Sequence, residues 1–425
     1  MNIGFVSTRL AGTDGVSLET AKWATIFRRL GHHVYYCAGQ LEADGPAGML
    51  VPKMHFTHPE VEWIYTHAFG TETPAPDLFD RIRAVVDELK VHLHRFIDAY
   101  ALDALIAENV LAIPMNIPLG VALAEVIEET RIPTIGHHHD FYWERKRFFP
   151  NCVQEILDSA FPPDLPNILH VVINTPAQHS LRERRGIESE VIPNIFDFAR
   201  AAPGITAFSR DLRASLGLTE DQLFILQPTR VVRRKGIELS IELVRRLREP
   251  QNRGRLLGKE PILVITHHAG DEGMEYLQEL QRRATEQQVP LIYAATRFAP
   301  RAYIHNQQKV YSLWDAYIHA DFVTYPSRYE GFGNALLESI YFRLPTLVNR
   351  YSVYMADIAP LGFDLIEIDG QITDEAVEHT IEAIMDPVRR RRMVEYNYYL
   401  ARHHFSYEAI TPKLQRLLAR CVTQR

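Results

Sequence analysis

Short apolar segments alternate with amphipathic helical segments along most of the chain, and the alternation restarts after Phe196. The first half contains the strand patterns Ile3–Ser7 and Ala104–Ala107, and the second half contains Leu223–Gln227 and Phe322–Tyr325. Strands and helices that alternate in this way form parallel sheets with helices on both faces. The sequence therefore predicts an α/β protein built from two doubly wound domains.

The size of the chain agrees with this prediction. Its 425 residues exceed what one small core accommodates and suit two domains of about 200 residues. We predict one domain over residues 1–197, a second over residues 198–390, and C-terminal helices over residues 391–425 that pack back on the first domain. The net charge of −7 argues against a nucleic-acid partner.

Cysteine usage and the apolar runs predict where the protein resides. The three cysteines have no metal-type spacing, which suits a reducing compartment. No apolar run approaches the roughly 18 to 20 residues that a membrane helix needs. The chain begins with a strand pattern instead of a basic leader, so no signal peptide is predicted. These features predict a cytoplasmic protein without a transmembrane segment, and they leave a homodimer open.

The segment Ser327–Glu338 carries two carboxylates, Glu330 and Glu338, on either side of a Gly-Phe-Gly turn. A strand pattern precedes this segment, and a helical pattern begins at Asn334. In a parallel unit such a loop lies at the carboxyl end of the strand, where the N–H groups of the following helix attract anions. A carboxylate beside an anion site needs hydroxyl groups as hydrogen-bond donors, and a ribose or a hexose supplies them. The segment therefore predicts a site for a sugar that carries phosphate.

A second motif, Gln227–Gly236, is rich in arginine and lysine. It also follows a strand pattern and opens a helix. Arg230 and Lys235 are therefore expected at a strand end beside a helix start, where they suit a diphosphate whose charge grows as it leaves. A solvated basic loop is the alternative interpretation. The position of the motif, about 100 residues before the glutamate pair and at an equivalent strand end, favours the functional one.

The loop after the first strand contains Gly12 and Gly15, which let the backbone approach a phosphate or a sugar. Its sequence is not Gly-x-Gly-x-x-Gly, which counts against a dinucleotide site.

The histidine-rich segment His137–Asp140 ends a strand pattern of the first half. Neighbouring side chains of a strand point to opposite faces, so three successive histidines cannot all bind one metal ion. One or two of them are expected to reach a ligand, where a histidine could bond a sugar hydroxyl or stabilise a charged transition state. A packed histidine cluster is the alternative. No Asp-x-Asp motif occurs, so we predict no metal, and cationic side chains would replace it.

Taken together, the Arg230 and Lys235 pair, the Glu330 and Glu338 pair and the opening glycine loop resemble glycosyltransferase family 4. Its members are retaining, metal-independent transferases of the GT-B fold, in which two Rossmann-like domains face one another across the active-site cleft. The resemblance implies transfer of glucose or mannose from a UDP-, GDP- or ADP-hexose, with no cofactor required. Within the family, the chain is most similar to members that act on small polar acceptors, such as synthases of mannosylglucosylglycerate or sucrose-like solutes.

The resemblance also implies roles for individual residues. The donor-binding residues that it implies are Gly15, Arg230, Lys235, Glu330, Gly331, Phe332, Gly333, Asn334, Ala335, Leu336 and Glu338. The acceptor-binding residues are Gly12, Asp14, His139, Asp140 and Asn194. The catalytic residues are His138, His139, Arg230, Lys235 and Glu330, and the choice between the two histidines stays open.

Two other functions are compatible with the sequence. One is a nucleotide-sugar epimerase or a phosphorylase on the same fold, which would act without an acceptor. The other is a non-catalytic nucleotide-sugar-binding protein, which would bind the donor without transfer. The presence of all four charged residues, Arg230, Lys235, Glu330 and Glu338, favours a transferase.

Overall fold

A computed structural model describes residues 1–12, 14–270 and 273–423. The chain forms two compact units. The first unit consists of Met1–Ile195 with Tyr407–Arg425, and the second unit consists of Phe196–Ser406.

The first unit contains one parallel sheet with helices on both faces. Its elements in chain order are β1 (Asn2–Val6), α1 (Gly15–Arg29), β2 (His33–Ala38), β3 (Gly48–Leu50), α2 (Pro59–Ala68), α3 (Leu78–Ala99), β4 (Ala104–Glu108), α4 (Ile117–Thr130), β5 (Thr134–His138), α5 (Gln154–Ala160), β6 (Ile168–Val172), α6 (Thr175–Arg185) and β7 (Ser189–Val191). The strand order is β3-β2-β1-β4-β5-β6-β7. Both β4 and β5 are buried along their whole length, as expected for central strands covered on two faces.

The second unit repeats this architecture. Its elements are α7 (Leu212–Ser215), β8 (Gln222–Gln227), α8 (Ile237–Leu247), α9 (Pro250–Arg253), β9 (Glu260–Ile265), α10 (Glu275–Glu286), β10 (Leu291–Tyr293), β11 (Phe298–Ala299), β12 (Tyr303–His305), β13 (Gln308–Ser312), α11 (Leu313–His319), β14 (Phe322–Tyr325), α12 (Asn334–Tyr341), β15 (Thr346–Asn349), β16 (Ile366–Ile368), α13 (Asp374–Met385) and α14 (Pro387–Phe405). The main sheet is parallel with the order β10-β9-β8-β14-β15-β16, and β11, β13 and β12 form a separate small sheet.

The C-terminal segment differs from the prediction. We expected residues 391–425 to pack on the first domain, but α14 continues through this boundary to Phe405 and adds Met393 and Val394 to the core of the second unit. The last helix, α15 (Tyr407–Thr423), adds Ile410 and Leu414 to the core of the first unit. The chain therefore changes unit after Ser406, between α14 and α15.

The segment between β3 and α3 is rich in proline and histidine, but it contains the helix α2. Pro59 occupies the first turn of this helix, where its missing N–H costs nothing, and Val61, Ile64 and Ala68 are buried on one face. Proline and histidine in the surrounding sequence obscured this short apolar stripe. Among the described residues, no helix combines the length and the apolarity that a membrane crossing needs.

Candidate active site

Two loops of the second unit meet at the carboxyl edge of its sheet. They follow β8 and β14, which are neighbouring parallel strands. The backbone N–H of Arg328 in one loop donates to the carbonyl of Arg234 in the other over 2.8 Å. Gly236 has a φ of +62°, and a Cβ there would lie 2.5 Å from the carbonyl oxygen of Pro326. Glycine at this position therefore allows the two loops to touch.

A buried ion cluster joins these loops. Lys235 Nζ donates to Oε1 of Glu330. Arg234 Nη1 donates over 3.0 Å both to Oε2 of Glu330 and to the carbonyl of Tyr329. Lys235 is 8% exposed and Glu330 is 7% exposed, so water screens the pair poorly. The structure thus brings together two residues that the sequence placed in separate motifs.

The charges in this cluster do not balance. Burial by itself would raise the pKa of Glu330, but the positive charges of Lys235 and Arg234 lower it to about 2. Burial lowers the pKa of Lys235, because the loss of hydration outweighs the attraction of Glu330. Two cations share one carboxylate, and the excess positive charge favours an anionic ligand.

Arg230 and His267 lie near this cluster. Arg230 is exposed, and its positive charge contributes to lowering the pKa of both Lys235 and His267. His267 follows β9, the other neighbour of β8. Burial, followed by the charges of Lys235 and Arg230, lowers the pKa of His267 to about 4, so the imidazole is neutral at pH 7. Three adjacent strands therefore contribute polar groups to one edge of the sheet.

The start of α12 supplies backbone N–H groups beside the same loop. Gly333 precedes the helix with a φ of +126°, and a Cβ there would lie 2.6 Å from Oη of Tyr351. That hydroxyl donates to the carbonyl of Phe332 over 2.6 Å. Within the described ranges, no side chain caps this helix. An uncapped helix start is a site for an anion.

The other predicted donor contacts surround this helix start. Gly331, Asn334 and Ala335 are partly exposed, whereas the side chains of Phe332 and Leu336 are buried. A ligand could therefore contact Phe332 and Leu336 only through their backbone.

Glu338 lies one turn into α12 and is oriented by a tyrosine. Tyr317 Oη donates to Oε2 of Glu338 over 2.7 Å. The ring of Tyr317 stacks on Phe342 with centroids 5.1 Å apart. Burial and the nearby carboxylate raise the pKa of Tyr317, so it keeps the proton that it donates. An ionised carboxylate only accepts hydrogen bonds, so this half-buried group suits hydroxyl groups of a ligand.

In the first unit, the opening loop uses its polar groups to support its own backbone. The N–H of Gly12 donates to Glu42 over 2.7 Å. Asp14 caps α1, and its Oδ1 accepts from the N–H groups of Val16 and Ser17 over 3.1 Å. Its Oδ2 accepts from the Ser17 hydroxyl over 2.7 Å and from Arg9 over 3.0 Å. The start of α1 at Gly15 therefore carries its own carboxylate, which disfavours an anion there.

The histidines at the end of β5 divide between the two faces of the sheet. His138 is completely buried, and its Nε2 lies 2.9 Å from Nδ1 of His170. No atom of this side chain reaches solvent, so the structure does not favour His138 as a ligand contact, and its catalytic role stays a prediction. His139 lies beyond the end of the strand and is 8% exposed, which favours it as the residue that meets a ligand.

The remaining acceptor residues are held by neighbouring groups. Asn109 Nδ2 donates to Oδ1 of Asp140 over 2.9 Å. Arg145 Nε donates to Oδ2 of Asp140 over 2.8 Å. Both oxygens of Asp140 are thus engaged. Asn194 is 5% exposed, so little of its side chain is available for contact.

Glu108, His137 and His139 form the group of side chains in the described ranges that could hold a metal ion. Their ligand atoms all lie within 4.8 Å of one another. However, His137 Nδ1 lies 2.9 Å and His139 Nε2 lies 3.4 Å from the same carboxylate oxygen, so hydrogen bonds already satisfy this geometry. The arrangement is that of a buried carboxylate with two imidazole donors.

Sequence reasoning missed several residues in each unit. Arg234 follows Arg230 in the basic motif, but nothing local distinguished it from a solvated arginine. Tyr317 in the second unit reaches Glu338, and Glu108 in the first unit reaches His139, through tertiary contacts. Asn109 has a φ of +58°, a conformation that asparagine tolerates, and its position directly after β4 was the available signal.

Comparisons with known proteins agree with this architecture. The family model described as glycosyl transferases group 1 matches residues 208–399. A mannosylglucosylglycerate synthase of Thermotoga maritima is 33% identical, over 98% of this chain and 99% of that protein. A mannosylglucosylglycerate synthase of Petrotoga mobilis is 34% identical, over 87% of this chain and 86% of that protein. None of these matches supports the epimerase, phosphorylase or binding-protein alternatives.

A solved structure confirms the predicted fold. HepE of Anabaena, crystallised with UDP and glucose, superposes with a TM-score of 0.62 at 15% identity, over 98% of this chain and 99% of that chain. The two parallel sheets and this likeness confirm the GT-B prediction. The chain therefore belongs to the group 1 glycosyl transferases, in the family of the mannosylglucosylglycerate synthases, and is a hexosyltransferase.

Proposed function

We propose that the protein transfers a glucosyl or mannosyl group, with retention and without a metal ion, from a nucleoside diphosphate sugar to a small polar acceptor. The second unit would hold the donor and the first unit the acceptor. The positive charge of Arg234 and Lys235, which share the single carboxylate of Glu330 beside the start of α12, is the observation that carries this proposal. Both features favour a diphosphate at one edge of the sheet.

The proposed class of acceptor is inferred from two similar proteins. The two similar proteins from Thermotoga maritima and Petrotoga mobilis are mannosylglucosylglycerate synthases. This supports a glyceric-acid glycoside, or a sugar of similar size, as the acceptor. HepE of Anabaena was crystallised with UDP and glucose, which supports a uridine donor among the candidates.

The proposed reaction exchanges one bond at the anomeric carbon. The bond between that carbon and the β-phosphate oxygen breaks, and a bond to the acceptor oxygen forms on the same face. The acceptor hydroxyl gives its proton to the departing phosphate oxygen, so the products are a glycoside and a nucleoside diphosphate. Arg230 and Lys235 would stabilise the negative charge that develops on the phosphate. His139 would contact the transferred sugar, Glu330 would position it, and Glu338 would bind the ribose.

Three free cysteines, two of them buried, support the cytoplasm as the compartment. A homodimer remains a prediction.

A panel of nucleotide sugars tests the proposed function. UDP-, GDP- and ADP-hexoses are compared by thermal shift, because a ligand that binds the folded state raises the melting temperature. Binding donors are then incubated with glycerate glycosides and simple sugars, with and without EDTA, and products are identified by mass spectrometry and NMR of the anomeric centre. We expect one donor to give an EDTA-resistant product of unchanged anomeric configuration. An inverted product, loss of activity with EDTA, or isomerisation without an acceptor would each contradict the proposal.

A further inference from the structure

A buried carboxylate contacts the one histidine of the first unit that we assign to the sugar. β4 and β5 are parallel neighbours, and Glu108 lies opposite His137 in their register. Side chains two residues apart share a face, so His137 and His139 both approach Glu108. His137 Nδ1 lies 2.9 Å and His139 Nε2 lies 3.4 Å from Oε2 of Glu108. One oxygen thus meets a ring nitrogen from each histidine.

This arrangement determines which ring nitrogens carry protons. Glu108 is fully buried, and burial would raise its pKa, but His137 and His139 lower it to about 2. An ionised carboxylate only accepts hydrogen bonds. His137 Nδ1 and His139 Nε2 must therefore both be protonated. In a neutral His139 ring, Nδ1 is then the unprotonated nitrogen, and within the described ranges it makes no hydrogen bond.

The neighbours of this cluster hold its geometry. Trp23 stacks on His137 with ring centroids 4.0 Å apart and an interplanar angle of 18°. Asn109 Oδ1 accepts from the backbone N–H of His139 over 2.9 Å. His137 is fully buried, whereas His139 is 8% exposed. His137 is therefore enclosed in the core, whereas His139 lies at the edge of the core.

We propose that Glu108 is a positioning residue, which orients the His139 ring and leaves its Nδ1 as a hydrogen-bond acceptor for a hydroxyl of the transferred sugar. This inference rests on the proposed role of His139 at the sugar. An acceptor nitrogen would select a hydroxyl as its partner, since a charged imidazolium would offer only donors. Glu108 itself acts through His139 and does not touch the substrate.

The tautomer can be measured without any variant. Long-range ¹⁵N–¹H NMR of the histidine-labelled wild-type protein distinguishes protonated from unprotonated ring nitrogens, and a His139→Gln sample assigns the signal. We expect His139 to carry its proton on Nε2 at pH 7. A proton on Nδ1 would overturn the inference, whatever the activity of the variants.

Kinetics then test whether Glu108 acts through His139. In Glu108→Gln, the amide offers a donor as well as an acceptor and no longer specifies the tautomer. We expect kcat to fall about 10- to 100-fold, the size of loss that follows removal of the partner that orients a metal-ligating histidine. The double variant Glu108→Gln/His139→Gln should be no slower than His139→Gln alone, because the two residues act as one unit.

Different outcomes separate this inference from the proposed function. Normal activity of His139→Gln would remove the role of His139, and the inference with it. A slow His139→Gln with a normal Glu108→Gln, or additive losses in the double variant, would overturn the role of Glu108 alone. His170→Gln is the matched control, since His170 is a buried histidine of β6 without contact to Glu108. In this variant the NMR signal of His139 should show the same Nε2–H tautomer as in the wild type.

Discussion

Glu330 in the second unit and Glu108 in the first unit are both buried carboxylates near the carboxyl edge of a parallel sheet. Both have a pKa of about 2. Their partners differ, because Glu330 is paired with Lys235 and Arg234, whereas Glu108 is bonded to two histidines. Two cations on one carboxylate leave positive charge for a phosphate, whereas the contact of Glu108 with two imidazoles orients a hydrogen-bonding ring. The two carboxylates therefore suit ligand groups of different chemistry.

The largest expected effect comes from removing Lys235. In Lys235→Met, Glu330 loses its closest cation and stays buried, and breaking a buried pair costs about 3–5 kcal/mol of unfolding free energy. We also expect kcat to fall about 100- to 1,000-fold, because a donor to the developing phosphate charge is lost. Urea unfolding and steady-state kinetics measure the two effects.

The double variant Lys235→Met/Glu330→Gln separates the two roles of Lys235. Neutralising both partners should recover much of the stability and none of the activity. A stable, active Lys235→Met would mean that this pair serves neither purpose.

Substitution of Arg230 tests the same site without a large change in the stability of the fold. Arg230 is exposed, so Arg230→Ala should leave the melting temperature nearly unchanged while kcat falls about 100- to 1,000-fold with saturating donor. Arg233→Ala is the control, since Arg233 lies in the same loop but pairs with Glu279 on the surface. Equal losses in the two variants would show that the net charge of the loop matters, instead of the position of Arg230.

Acid should weaken the first unit through its buried histidines. The pKa of His170 is lowered by burial from 6.5 to about 4, so this residue favours the folded state fully above pH 6.5, and the contribution is lost as the pH falls from 6.5 to about 4. The whole difference corresponds to about 3 kcal/mol. Denaturant unfolding at pH 7, 6, 5 and 4 measures this loss.

His170→Gln should flatten the dependence of unfolding free energy on pH in this window. Glu108 and Glu330 add a further loss only as the pH falls from 4.5 towards 2, because their pKa values are lowered in the folded state. A variant that loses stability as steeply as the wild type between pH 6.5 and 4 would assign the acid sensitivity to other groups.

The smallest expected effect concerns Glu338 and Tyr317. A ribose contact is made equally in the ground state and the transition state, so Glu338→Gln should raise the donor KM about 10-fold with little change in kcat. Tyr317→Phe removes one hydrogen bond to this carboxylate, and we expect a smaller rise in KM. A large fall in kcat with an unchanged KM would place Glu338 at the reacting centre instead.

Much of the fold could be predicted because its signals are local. The period of the apolar residues distinguishes strands from helices, and their alternation is typical of parallel sheets. The predicted strand Phe322–Tyr325 coincides with β14, and the predicted strand Leu223–Gln227 differs from β8 by one residue. Short elements were missed, such as α2 and the small sheet of β11, β12 and β13, since few residues carry their pattern.

The sequence by itself determined the parallel α/β architecture, the family and the charged motifs at strand ends, because each depends on residues close together in the chain. Tertiary structure decided which side chains these charged residues contact. Lys235 and Glu330 are 95 residues apart, and they pair because β8 and β14 are neighbours in the sheet. The tertiary structure also distinguished His139 from His138, because the two side chains lie on opposite faces of the sheet and only His139 faces Glu108 on the adjacent strand. Burial and pairing arise from strands that are distant in sequence, so no local pattern encodes them.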